Sequence, residues 1–240
     1  MRLLIKFATR KRPAKFRQAM ANIISTATTD YMIIVSIDSD DKEMIDLAMN
    51  NPFDRTQFYI NDNDGGKIGA INANIPLDGS WDWLVNTSDD MQFIAKGWDQ
   101  IMIQRIQSIW GDSLDFFANF NDGFQGPRIC TMSVFGREYY ERFFYVYAPC
   151  YRSLSCDAEA FYVAQILQRY HYFPDQLYKH MHPSNIRGKS DDLYNHNETF
   201  GKQDAEIYFK RLNKNFYVHN PGPTPFDQFK AKAVGGAKNL

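Results

Sequence analysis

Four short apolar runs, each followed by a stretch with helical spacing, fill the first 110 residues. This alternation limits the fold more than any other feature of the chain. LLIKFA (3–8) has the length of a buried strand, and Pro13 opens a helix to about Ser25, a first-turn position proline tolerates. YMIIVSI (31–37) is a continuous apolar run of the kind buried inside parallel sheets. The acids of DSDDKEMIDLAMN (38–50) then sit at a helix start, where the helix dipole favours them. TQFYI (56–60) predicts a third strand, KIGAINANI (67–75) a short helix, WDWLVN (81–86) a fourth strand, and KGWDQIMIQRIQSIW (96–110) a helix. Strands and helices alternating at this spacing predict an α/β fold with a parallel sheet covered on both faces.

The second half is more mixed. LDFFANF (114–120) and ICTMSVF (129–135) predict strands, and REYYERFF (137–144) a helix. DAEAFYVAQILQRY (157–170) is the most amphipathic helical stretch. Residues 183–202 are polar and loop-like, a helix near 203–213 follows, and a Pro/Gly stretch leads into a basic end carrying Lys230, Lys232 and Lys238. No repeat or low-complexity linker divides the chain. We therefore expect one domain over 1–220, in halves of about 1–95 and 96–220, then a basic tail at 221–240.

A net charge of −1 conceals a polar arrangement of charge. Arg2, Lys6, Arg10, Lys11, Arg12, Lys15 and Arg17 precede the first acid, Asp30; between Asp30 and Asp64, nine acids face only Lys42 and Arg55. Such a map suits a phosphorylated ligand handled together with a cation, or, more plainly, a solvated basic helix face. Three cysteines (Cys130, Cys150, Cys156) without a CxxC pair imply neither a disulfide framework nor a zinc site. No run of about 18 apolar residues predicts a membrane span, and the N-terminal stretch is too short and charged for a signal peptide. A cytoplasmic protein without membrane insertion is the expectation.

The chemistry centres on Asp89-Asp90, just past the fourth strand. Ligands of open α/β sheets bind outside the carboxyl ends of strands. Adjacent acids there resist joint ionisation unless a cation shares them, and Mg²⁺ or Mn²⁺ held by carboxylates and substrate phosphates meets that need. The plainer alternative is a capping acid beside a solvated one.

The order of these pieces resembles the GT-A glycosyltransferases, in particular the inverting family 2 and its short phage-like relatives. The resemblance covers about residues 2–185. It rests on the loop Thr9-Arg10-Lys11-Arg12-Pro13, the acid Asp38 in SIDSDD, the run Thr87-Ser88-Asp89-Asp90-Met91 with Gly97-Trp98-Asp99 behind it, the pair Cys156-Asp157, and Tyr178-Lys179-His180-Met181-His182-Pro183. Ser88 stands where many members have the first acid of DxD, and Cys156 replaces the glutamate of a Glu-Asp pair.

The resemblance implies a mixed central sheet flanked by helices and a Mn²⁺- or Mg²⁺-dependent glycosyltransferase acting on a nucleotide-sugar, UDP-linked by preference. It implies Thr9, Arg10, Arg12, Asp38, Lys67, Ser88 and Asp89 as donor contacts. Asp90 and His182 are the implied metal ligands, with His180 the second choice, and Asp157 the implied general base. Glu159, two positions along the helix, is expected to matter less. The acceptor is open, with a DNA base or a polysaccharide precursor as candidates. Two other readings stay in view. A sugar-nucleotide pyrophosphorylase needs a glycine-rich loop after the first strand, where this chain has Phe7-Ala8-Thr9. A non-catalytic carbohydrate- or nucleic-acid-binding module could share the scaffold. Trp81, Trp83 and Trp98 are expected in the core, and Tyr139, Tyr140 and residues 143–147 either there or along an acceptor cleft.

Overall fold

The computed structural model describes residues 1–51, 53–62 and 66–218. Gly65 and the basic tail, with Lys230, Lys232 and Lys238, lie outside the described residues. The first half runs β1 (Leu3–Ala8), α1 (Pro13–Thr26), β2 (Tyr31–Asp38), α2 (Lys42–Met49), β3 (Thr56–Asn61), α3 (Gly66–Asn72) and β4 (Trp83–Thr87), as its alternation predicts. A short β5 (Met91–Phe93) precedes α4 (Trp98–Trp110). Then follow β6 (Phe117–Asn121), β7 (Val134–Gly136), α5 (Arg137–Glu141), α6 (Cys156–Ile166), β8 (Tyr170–Gln176), β9 (Tyr178–His180), α7 (Pro183–Ile186), α8 (Asp192–Glu198) and α9 (Gly201–Leu212).

Seven strands form the main sheet in the order β3-β2-β1-β4-β7-β6-β8. β1, β2, β3 and β4 are parallel, β7 is antiparallel to both β4 and β6, and β8 is parallel to β6. The sheet is therefore mixed. The chain builds outward from β1 to β3, then returns to β1's other side with β4. This reversal opens a crevice at the carboxyl ends of β1 and β4. One sheet crosses the expected boundary between halves at residue 95.

Side chains alternate across a strand, so β1 feeds both layers. Leu3, Ile5 and Phe7 pack with Phe16, Met20, Met44, Trp98, Met102 and Ile106 under α1, α2 and α4. Leu4 packs with Ile34, Leu84, Ile68, Ile71, Tyr139, Tyr140 and Phe161 under α3, α5 and α6. Trp81, Trp83, Trp98, Tyr139 and Tyr140 are all buried in the core. Lys6, also on the second face, is fully buried, donates to Ser36, and is pushed down to about 7 by burial.

Three segments differ from expectation. The helix expected over 157–170 stops at Ile166: Gln168 turns left-handed (φ +57°), and Arg169 N–H closes on Ala164 O at 2.9 Å. The chain then becomes β8, an edge strand whose Pro174 removes no needed donor there. The polar stretch 183–202 holds α7 and α8 rather than a loop, each started by a side-chain cap, from His182 and Asp191. Finally, the strand expected over 129–135 pairs only from Val134 to Gly136.

Candidate active site

A cavity of about 650 Å³ opens at the carboxyl edge of the parallel strands, at the reversal point between β1 and β4. The loop after β1 brings Thr9, Arg10 and Arg12; the end of β2 brings Asp38; α3 brings Lys67; the turn after β4 brings Ser88, Asp89 and Asp90. The start of α6 adds Asp157, and β9 and α7 add His180 and His182. Every residue that the resemblance implies as donor contact, metal ligand or base lines this one cavity.

Their contacts separate them into groups. Arg10 ties to Asp38 and, at 2.7 Å, to Asp40, closing the loop after β1 over the end of β2. Asp89 accepts from Arg12 Nη1 at 3.0 Å and from Thr9 Oγ1 at 3.4 Å. Burial pushes the Asp89 carboxyl up and Asp90 adds to this, while the Arg12 guanidinium opposes both. Thr9, Arg12 and Asp89 thus already bind one another, stitching the β1 and β4 loops together.

Asp90 is the more strongly ionised of the pair. Burial alone would raise it. Contacts from His180, Ser88 and Tyr194 outweigh that and hold its carboxyl well below the usual range. The Tyr194 hydroxyl donates to Asp90 Oδ2 at 2.8 Å, Ser88 donates to Oδ1, and His180 Nε2 lies 3.4 Å from Oδ2. The β5–β9 ladder explains this placement: it pairs Met91 with His180, and Met181 N–H donates to Asp90 O at 2.7 Å. His182 sits 5.7 Å from the His180 ring, and its Nδ1 meets Ser184 Oγ at 2.7 Å. Burial lowers the His182 imidazole's pKa, with Asp90 opposing, so it tends toward the neutral, ligating form.

Asp157 is in the second helical position of α6, whose N-cap is Ser155 at φ +62°, so it is not the cap. One oxygen accepts the Ala158 N–H at 2.9 Å. Burial raises its pKa, and the Lys67 ammonium opposes this most. Its neighbour Glu159 belongs to the core instead. It is buried, accepts from Tyr151 Oη at 2.7 Å, and forms a two-pronged pair with Arg211 at 2.7 Å on each oxygen. Glu159 stands outside the cavity lining, and its pair with Arg211 pins α9 to α6.

A divalent ion fits this donor set only in a shared form. Among the described residues no group of three or more His, Cys, Asp or Glu side chains converges on one point. Asp90 with one imidazole supplies two ligands of suitable type, and His180 Nδ1 is buried without a hydrogen-bond partner. An ion held there would need its remaining ligands from substrate phosphates and water, as Mg²⁺ ordinarily takes them.

Sequence reasoning missed the wall formed by α8. Tyr194 reaches Asp90, and Asp191 binds Lys15 Nζ at 2.8 Å and Arg12 Nη2. The available signal was Asp191 as a helix cap, its side chain accepting the Tyr194 N–H at 3.1 Å.

No protein-family model matches the chain, and no curated protein sequence does. Among solved structures it is similar to the mannosyltransferase PcManGT from Pyrobaculum calidifontis, solved with GDP-Man and Mn²⁺. The identity is 12% and the TM-score 0.54, over 72% of this chain and 54% of that one. It is similar to S. aureus TarS at 10% identity and TM-score 0.55, over 78% of this chain and 38% of that one. It also resembles TarS 1–349 in complex with UDP-GlcNAc, at 11% identity and TM-score 0.51, over 75% and 60%. The chain thus spans between 38% and 60% of these proteins. At such identities the likeness speaks for architecture, and the architecture is the GT-A glycosyltransferase fold.

Proposed function

We propose that the chain is a glycosyltransferase that moves a sugar from a nucleotide-sugar, with inversion, onto a hydroxyl acceptor. One observation carries this reading: an ionised carboxylate with an imidazole beside it (Asp90, His180) and a second carboxylate raised by burial (Asp157) face the same cavity, at the reversal point of a GT-A sheet.

Each role follows from its surroundings. Asp157, its pKa raised by burial, is a stronger base than a solvated carboxylate and takes the acceptor hydroxyl's proton as the sugar bond forms. Lys67 opposes the rise that burial gives the Asp157 pKa, and presents a cation to the diphosphate. Arg10 and Asp38, at the end of β2, form the wall for the nucleoside. Thr9, Arg12, Ser88 and Asp89 hold the two loops in register around the donor. Asp90 with His180, or with His182 just past the end of β9, would hold a Mn²⁺ or Mg²⁺ ion. When bound, that ion stabilises the negative charge that grows on the departing nucleoside diphosphate. The Asp90 contact favours His180 as the imidazole, ahead of His182.

UDP- and GDP-sugars both belong in the first donor panel, because TarS and PcManGT were solved with one of each. A DNA base and a polysaccharide precursor are the acceptors to screen. The test is Asp90→Asn in a donor-hydrolysis assay with Mn²⁺. Release of nucleoside diphosphate should fall by at least ~10²-fold with the fold intact. Wild-type release that is equally fast in EDTA would remove the metal from the mechanism. No release and no binding from any donor would favour the non-catalytic binding module.

A further inference from the structure

The chemistry proposed above assigns nothing to α8, yet α8 reaches the Asp90 carboxylate with a direct hydrogen bond. Tyr194 is the one residue of α8 that is buried. Its hydroxyl donates to Asp90 Oδ2 at 2.8 Å. Its ring lies under the Arg12 guanidinium, 4.1 Å from centroid to carbon, and meets the edge of His182 at 4.7 Å. Arg12 in turn binds Asp89 on one nitrogen and Asp191, the cap of α8, on the other. Tyr194 therefore touches the carboxylate, an imidazole of the site and the arginine that holds the neighbouring acid.

From this geometry we infer that Tyr194 is a positioning residue for Asp90: it fixes the carboxylate's rotation so that the Oδ2 lone pair left over faces His180 Nε2. The inference rests on the metal role proposed for Asp90. A carboxylate oxygen accepts two hydrogen bonds. Ser88 holds Oδ1, Tyr194 takes one lone pair of Oδ2, and the other points to the imidazole, 3.4 Å away. That gap is long for a hydrogen bond and is where a cation would be shared. Groups that hydrogen-bond to a ligating carboxylate commonly change metal affinity 10–100-fold when removed. The Arg12–Asp191 tie carries the same restraint back into the body of the protein, so loosening α8 should weaken the site without touching any ligand.

The experiment is a calorimetric titration of Mn²⁺, with saturating UDP and separately GDP, into the full chain. Tyr194→Phe keeps the ring, its stacking and its packing but removes the hydroxyl; Mn²⁺ should bind about 10-fold more weakly, with the melting temperature of the metal-free protein nearly unchanged. Asp191→Asn, on an exposed side chain, should weaken Mn²⁺ by a smaller factor, and carries the test if Tyr194→Phe does not fold. Mn²⁺ affinity equal to wild type in the folded variants overturns the inference while leaving the metal role standing. Tighter binding in Tyr194→Phe would also overturn it, marking Tyr194 as a blocker rather than a support. No Mn²⁺ binding to the wild type with either nucleotide defeats the metal role itself and this inference with it.

Discussion

Asp157 and Glu159 are two residues apart on α6, yet their surroundings give them opposite duties. Asp157 faces the cavity with a single backbone hydrogen bond, and burial raises its pKa. Glu159 is enclosed by Tyr151 and Arg211. Asp157→Asn keeps the oxygen that accepts the Ala158 N–H but cannot take a proton. Transfer should fall by about 10²–10⁴-fold with donor affinity preserved, measured as kcat against donor Kd. The base works only when ionised. Wild-type kcat should therefore drop as pH falls through the Asp157 pKa, and that drop begins above the ~3.9 of an ordinary aspartate. A carboxyl raised in the folded state costs stability above its folded pKa and none below its unfolded one, so Asp157→Asn should melt no lower than wild type at pH 7. Glu159→Gln should act in the other direction. It leaves Arg211 partly buried without its counter-charge, at a cost of about 3 kcal/mol readable in urea unfolding, while donor affinity in the surviving folded fraction stays normal.

At the scale of elements, much of the fold was legible because its signals are local. β1 to β4 are apolar runs of strand length, and α1 announces itself with Pro13. Arg10, Asp38, Asp89 and Asp90 could be placed together because each follows a parallel strand, and parallel strands bring their carboxyl ends to one edge. What stayed hidden depends on partners distant in sequence. β8 looks like a continuation of α6 because the residue that ends the helix in a left-handed turn is Gln168, where glycine is the usual marker. α8 buries only one of its residues, so it has no apolar stripe to read; its cap, the tie from Asp191 to Arg12 and Lys15, and the Tyr194 contacts with Asp90 and Arg12 hold it in place. The choice between His180 and His182 was beyond sequence because it turns on the β5–β9 register. β7 gives a test at this scale. A Cβ on Gly136 would lie 2.1 Å from Leu114 O, a backbone atom that cannot swing aside. Gly136→Ala should therefore push β7 off β6 and cost roughly 1–3 kcal/mol, seen as a lowered melting temperature.

The whole molecule is organised around one crevice, with a mixed sheet beneath it and α3, α6 and α8 around its rim. Among the described residues no helix is long and apolar enough to cross a membrane. The seven bases that open the sequence are largely committed internally: Arg10 and Arg12 bind acids of the site, Arg2 binds Asp82 at 2.7 Å, and Lys6 is buried. Arg10 with Asp38 and Asp40, and Arg12 with Asp89 and Asp191, brace the carboxyl edge of the sheet, while Arg2 with Asp82 ties its amino edge. In the function proposed above, this crevice cleaves a nucleotide-sugar with the help of a divalent ion. The most direct measurement is nucleoside diphosphate release from a panel of UDP-, GDP- and TDP-sugars, with Mn²⁺, with EDTA, and with Mn²⁺ restored after EDTA. At least one donor should be cleaved with Mn²⁺, cleavage should stop in EDTA and return on restoration, and Asp90→Asn should stay inactive throughout. Undiminished cleavage in EDTA, or full activity in Asp90→Asn, would mean that the crevice works without a metal at Asp90.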